Sequence, residues 1–207
     1  MKKWTALLIF QYFAVVFVLM LLYRGGNYFE PDAGSFVFYK NYLSDLGRTH
    51  YFNDLPNPYW FLYSLTLTLV AVGVFLFFAE MSKTLTKGRR NFLLFIALIS
   101  ALGFAGIAVF PVDVAFSEHI RAGSIAFLSF FLAFLLLFIY RRKQNNRTQQ
   151  YLFIFLILLW LAFLGIKFFA PPSRANPQAL ILKVMAQKSM VLGQLLIALL
   201  LLKKERN

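Results

Sequence analysis

Three stretches bring together side chains able to bind a charged group or move a proton. The first is Asn41-Tyr42-Leu43-Ser44-Asp45-Leu46-Gly47-Arg48, followed by His50, Asn53 and Asp54. The second is Phe110-Pro111-Val112-Asp113, with Glu118, His119 and Arg121 just after it. The third is Lys183, Gln187 and Lys188 near the C-terminus. Together they offer a serine, several carboxylates, both histidines and several bases. Asp45, His50 and His119 have the types for a zinc site of two imidazoles and one carboxylate, with water in the fourth position. Such a metal would bring its water close to neutral pKa and make it a nucleophile. Ser44 with a His and an Asp has the types for acyl transfer, but not the spacing of a nucleophile elbow. The candidate catalytic residues are therefore Asp45, His119 and Ser44. A non-catalytic use needs no cofactor: bases take a phosphate, and acids hold the bases in position. With no Cys, thiol catalysis and thiolate zinc are excluded, and with two His so is a three-imidazole cage in one chain.

The elements that position these groups are apolar. Of the 207 residues 60% are hydrophobic and only 14% charged, against about 45–50% and about 25% in soluble domains. Six stretches reach the roughly 20 residues that a helix needs to cross a bilayer: 4–23, 59–78, 92–110, 120–140, 151–170 and 179–202. A membrane interior cannot hydrogen-bond the backbone, so each is expected to be helical. The fold class is an all-α, six-transmembrane-helix bundle forming one integral membrane domain over residues 1–207. The first span follows Met1-Lys2-Lys3, but its apolar run is too long for a cleaved leader, and no small-x-small site precedes Arg24. No internal repeat is visible, which disfavours a transporter of paired repeats.

Lys and Arg near the span ends set orientation. With both termini in the cytoplasm, 13 of the 21 basic residues and two of the eight acids fall inside, a net +11 against +2 outside. The overall +13 is thus a topology signal rather than a nucleic-acid footprint. This pattern and the lack of Cys fit a bacterial inner membrane. Anionic lipid is the expected contact of the inner loops.

The outer segment 24–58 is long for a loop. From Ser35 to Leu46 the apolar residues Phe36, Tyr39, Leu43 and Leu46 share one helical face, with Lys40, Asn41 and Ser44 opposite. The spacing predicts a short amphipathic helix in the interface, capped by Ser35 and closed by Gly47 at C′. Asp45 would then sit near the C-terminal end, where the dipole disfavours an anion. In the last span Lys183, Gln187, Met190 and Gln194 share one stripe. Lys183 can snorkel, as can Lys167 and Arg121. Lys188 lies about 7 Å deeper than Lys183, so it is expected to face the bundle and pair with Asp45, Asp54 or Asp113. Ala97, Ala101 and Ala105, with Gly103 and Gly106, form a close-packing surface. Ser64, Thr66 and Thr68 are expected to bond neighbouring backbone.

Asn41-Tyr42-Leu43-Ser44-Asp45-Leu46-Gly47 resembles the N-x-L-S-D-L-G signature of the domain of unknown function 998 family. Phe110-Pro111-Val112-Asp113 resembles that family's F-P segment, His119 its single His opening span four, and Gln187-Lys188 its E/Q-R/K pair, with Lys where Arg is more frequent. The likeness spans practically the whole chain and implies six spans, but no established reaction. The damage-regulated autophagy modulator proteins, also six-span, are more distantly similar. The residue types at Ser44, Asp45, His50, Asp113 and His119 also resemble those of the alkaline ceramidases, zinc hydrolases with seven spans and a third His that this chain lacks.

The expected function is binding of a lipid head group or small amphiphile in an outward-facing polar pocket. Asn41, Ser44, Asp45, Arg48, His50, Asp113, His119, Arg121, Gln187 and Lys188 would line it. The alternatives are a membrane-embedded, zinc-dependent lipid hydrolase and an accessory subunit that binds another membrane protein or a second copy.

Overall fold

The computed structural model describes residues 2–143 and 147–204. Among them the chain forms six long helices and no strand. They are α1 (Lys2–Leu22), α2 (Trp60–Met81), α3 (Lys87–Val109), α4 (Phe116–Arg141), α5 (Arg147–Phe169) and α6 (Pro177–Lys204). All six are long and apolar enough to cross a membrane; the shortest, at 21 residues, rises about 32 Å. The molecule is an integral membrane protein built as a six-helix bundle. Helices overrun the apolar stretches at their polar ends, as where α3 starts at Lys87 rather than Phe92. Backbone pairing continues into the head-group region after the apolar requirement has ended.

Neighbouring helices pack in chain order. α1 lies on α2, α2 on α3 and α3 on α4, while α5 and α6 form a pair that meets the other four more sparsely. The α3–α4 contact is closest. A Cβ on Gly103 would stand 2.4 Å from the Ala126 nitrogen, and the Ser100 hydroxyl donates to the Ala126 carbonyl at 2.8 Å. Ala97 and Ala101 are buried in the same region, as the small-residue pattern predicts. In α2 the Thr68 hydroxyl donates to the Ser64 carbonyl, while the Thr66 carbonyl accepts from Gln11 of α1. Phe77, Phe78, Phe130 and Phe134 interlock with centroids 4.9–5.7 Å apart, geometry worth about 0.5–1.5 kcal/mol per pair beyond burial.

Segment 23–59 folds over one end of the bundle, hereafter the loop end. The expected helix from Ser35 to Leu46 is not there; only a 3₁₀ turn, Leu43–Gly47, forms. Asn41 explains the difference. Its side-chain oxygen accepts the Val37 N–H at 2.9 Å, and its amide donates to the Gly26 carbonyl at 2.8 Å, so local side-chain bonds replace a helical ladder. Gly47 has no positive φ. It is needed for close approach, because a Cβ there would meet the Tyr63 ring at 2.4 Å. At the start of α6 the Ala179 N–H donates to Asn176 Oδ1 at 2.8 Å, with Pro177 in the first turn.

Candidate functional site

Between the α1–α4 layer and the α5–α6 pair lies a cavity of about 860 Å³ that reaches the loop end. Ligand cavities commonly fall at about 300–1,000 Å³ and are mostly apolar with a few polar groups. Its floor is apolar: Leu67 and Val70 of α2, Phe104 and Ile107 of α3, Trp160 of α5 and Leu195 of α6 all line it. Polar side chains gather toward the loop end. Ser44, Asp45 and Arg48 come from the 3₁₀ turn and its exit, Asp113 and His119 from the α3–α4 corner, and Lys167, Arg174, Lys183 and Gln187 from the α5–α6 hairpin. The Trp160 indole N–H has no hydrogen-bond partner among the described residues.

Asp45 sits in the first turn of the 3₁₀ helix, not at a helix C-terminus, so the expected dipole conflict does not arise. Its Oδ2 accepts the Tyr42 N–H at 2.7 Å and the Asn41 amide at 3.4 Å. Burial pushes the Asp45 carboxyl up to about 6, against the opposing pull of Arg48, the Tyr42 N–H, Asn41 and Lys188. Asp113 behaves oppositely. Burial would raise it, yet the His50 N–H, the Thr49 hydroxyl and the Thr49 N–H, at 2.9, 2.7 and 3.1 Å, outweigh that and hold the carboxyl below its ordinary value. Asp113 thereby pins residues 49–50 of the loop to the α3–α4 corner.

Lys188 is 1% exposed and faces the bundle, but the expected pairing with a carboxylate is corrected. Its ammonium donates to the carbonyls of Phe38 and Asn41 and lies 5.0 and 4.7 Å from the ring centroids of Phe36 and Phe38. Asp45 contributes only longer-range attraction, Asp113 is engaged by the loop, and Asp54 sits exposed at a left-handed turn with φ 61°. Carbonyl dipoles and aromatic faces stabilise the cation here without a carboxylate. One residue earlier, Gln187 accepts the Leu43 N–H at 3.2 Å. These two residues fasten the loop to α6.

His119 is buried at the start of α4. Its Nδ1 lies 2.7 Å from the Phe110 carbonyl, which can only accept, so Nδ1 carries the proton. Nε2 is then an acceptor, with no protein partner among the described residues. Arg48 donates to the His50 carbonyl at 3.0 Å and stacks 4.2 Å over Phe52.

Four of the expected pocket residues do not line the cavity. Asn41 and Lys188 are buried in the loop's attachment to the bundle. The His50 side chain is exposed beside the Thr49 hydroxyl. Arg121 is exposed on the far face of α4, beside a groove with Glu118, Gly103 and Gly106. The zinc set of Asp45, His50 and His119 is not assembled, and among the described residues no three His, Asp or Glu side chains group to hold a metal. Conversely, Lys167 and Lys183, expected only to snorkel, and Arg174, not singled out at all, line the mouth. The signal was available: these bases flank one short hairpin loop, with Lys183 on the Gln187 stripe.

Comparison with curated proteins and with solved structures returned no match. A family model described as a protein of unknown function, DUF998, matches residues 30–202, from the long loop through α6. The chain belongs to that family, the DUF998 membrane proteins.

Proposed function

We propose that the protein binds an amphiphile drawn from its own membrane, with the polar end among the side chains at the loop end and the apolar part on the cavity floor. The observation carrying this reading is one continuous cavity of about 860 Å³ that joins charged residues such as Lys183 and Asp113 to a floor of Val70, Phe104 and Leu195. A soluble metabolite has no use for that floor. The basic loops at the opposite end favour the cytoplasm for both termini. On this reading the cavity mouth opens toward the outer leaflet of a bacterial inner membrane. The test is native mass spectrometry of protein released from mild detergent. The expected spectrum contains a species carrying one lipid-sized adduct, depleted by Gly123→Leu, which puts a side chain into the cavity where the nearest atom to a new Cβ is 3.9 Å away. An adduct-free spectrum, with no thermal stabilisation by added lipid extract, refutes the reading.

A second reading, a lipid hydrolase, is favoured by His119 alone. Its Nε2 is left as an acceptor by the Nδ1 contact with Phe110, and Ser44 and Asp45 border the same cavity. Release of head groups from radiolabelled membrane lipid, abolished by His119→Gln, is the outcome it requires. No release by the wild-type protein eliminates it.

A further inference from the structure

The mouth of the cavity carries more positive charge than its carboxylates neutralise. The ion pairs seen among the described residues are Lys40–Glu30 and Lys83–Glu80. Lys167, Arg174 and Lys183 line the mouth and enter neither. The two lining acids are already engaged, Asp45 by the Tyr42 N–H and Asp113 by residues 49–50. Arg174 instead stands 5.0 Å over Tyr28 and 5.9 Å over Phe116, a stacking that leaves edge donors available.

The wall beside this mouth is incomplete. α4 and α5 touch each other only sparsely, and Phe116, Ile120 and Leu128 of α4 and Phe168 of α5 line the cavity while each stays about half exposed or more, from 49% for Ile120 to 72% for Phe168. Toward the opposite end the same two helices close, Phe131 stacking on Trp160 at 4.8 Å and Phe138 lying against Phe153 at 4.9 Å. α4 and α5 thus meet like a hinge and part toward the loop end, at membrane depth.

We infer that the ligand is an anionic amphiphile that enters sideways from the lipid between α4 and α5, its phosphate or carboxylate head held by Lys167, Arg174 and Lys183. The three cations sit where the cavity meets the head-group region, so the head stays at its usual depth while the tail moves from lipid into protein. Along α6 the cavity continues from Lys183 to Leu195, about 18 Å of helix rise, room for an extended alkyl tail. Charge-assisted contacts from Lys and Arg give the head its selectivity, and the apolar floor gives affinity without selectivity.

This inference rests on the amphiphile reading above, and the experiment separates the two. Full-length protein in nanodiscs of neutral lipid is titrated with hexadecyl phosphate, palmitate, hexadecyl maltoside and inorganic phosphate, with Trp fluorescence and thermal shift as readouts. Both anionic amphiphiles should bind at least tenfold tighter than the maltoside, and free phosphate should not compete at millimolar concentration. Lys167→Gln with Lys183→Gln should remove that preference while leaving maltoside binding unchanged; Lys167→Arg with Lys183→Arg should retain it. Ile120→Phe, which enlarges a side chain of that wall lining the cavity, should slow entry of every amphiphile severalfold. Equal binding of neutral and anionic probes, or a preference that survives the double Gln variant, overturns the assigned head group and leaves the amphiphile reading standing. Competition by free phosphate overturns the membrane as source. Unaltered entry in Ile120→Phe overturns the lateral route. Failure of every amphiphile to bind overturns both readings.

Discussion

Asp45→Asn should make the protein more stable at neutral pH and change nothing below about pH 4. Burial raises the Asp45 carboxyl from 3.8 to about 6. Between those values the folded protein holds a proton that the unfolded chain releases. Stability therefore falls as pH rises through that window, and the loss persists above it. At 1.36 kcal/mol for each pKa step, the difference amounts to about 3 kcal/mol. Asparagine does not titrate, and its side-chain oxygen can still accept the Tyr42 N–H that Asp45 accepts at 2.7 Å. The assay is thermal unfolding of detergent-solubilised protein, followed by Trp fluorescence from pH 4 to pH 8. The advantage of the variant over wild type should be near zero at pH 4, grow through pH 6 and then level off. Asp113, held low, contributes stability that is lost as pH falls through its folded value, but it does so in both proteins and cancels. An advantage independent of pH, or one that shrinks as pH rises, would refute the burial argument.

Lys188→Met strands the buried carbonyls of Phe38 and Asn41. A loss of about 1–3 kcal/mol for each stranded carbonyl is expected, read as a lower unfolding temperature and faster protease cleavage within residues 24–58. Gly103→Val should overpack the α3–α4 contact, where a Cβ falls 2.4 Å from the Ala126 nitrogen, at about 1–3 kcal/mol or more. Gly88→Val, whose Cβ would meet nothing, should leave the unfolding temperature within a degree or two. Because the chain lacks Cys, single introduced cysteines report topology cleanly. In intact cells Asp32→Cys should react with an impermeant maleimide, whereas Gly88→Cys should react only after permeabilisation; the reverse pattern inverts the orientation.

The six helices were legible because length and apolarity suffice to specify a membrane span, and because Asn176-Pro177 and Pro111 punctuate their ends. The loop misled for a local reason. Its apolar spacing suits a helix, but Asn41 satisfies Val37 and Gly26 with its own amide, and periodicity does not register that competition. Lys188 was correctly drawn inward by its depth. Its partners are main-chain carbonyls and rings, which leave no trace in a search for opposite charge. Lys167 and Lys183 show what residue type alone does not register. A lysine near a helix end can snorkel to the head groups, and the same reach places it at the rim of a cavity. Only the gap between α4 and α5 distinguishes the two, and a gap is a property of packing, not of residue type.

The latch between the long loop and α6 also bears on how the chain is made. The Lys188–Asn41 contact joins residues 147 positions apart, and Gln187–Leu43 joins residues 144 apart. During synthesis on the ribosome, residues 24–58 are made while α6 has yet to emerge. The loop therefore waits without its anchor until α6 enters the bilayer, and its final packing is a late step of folding.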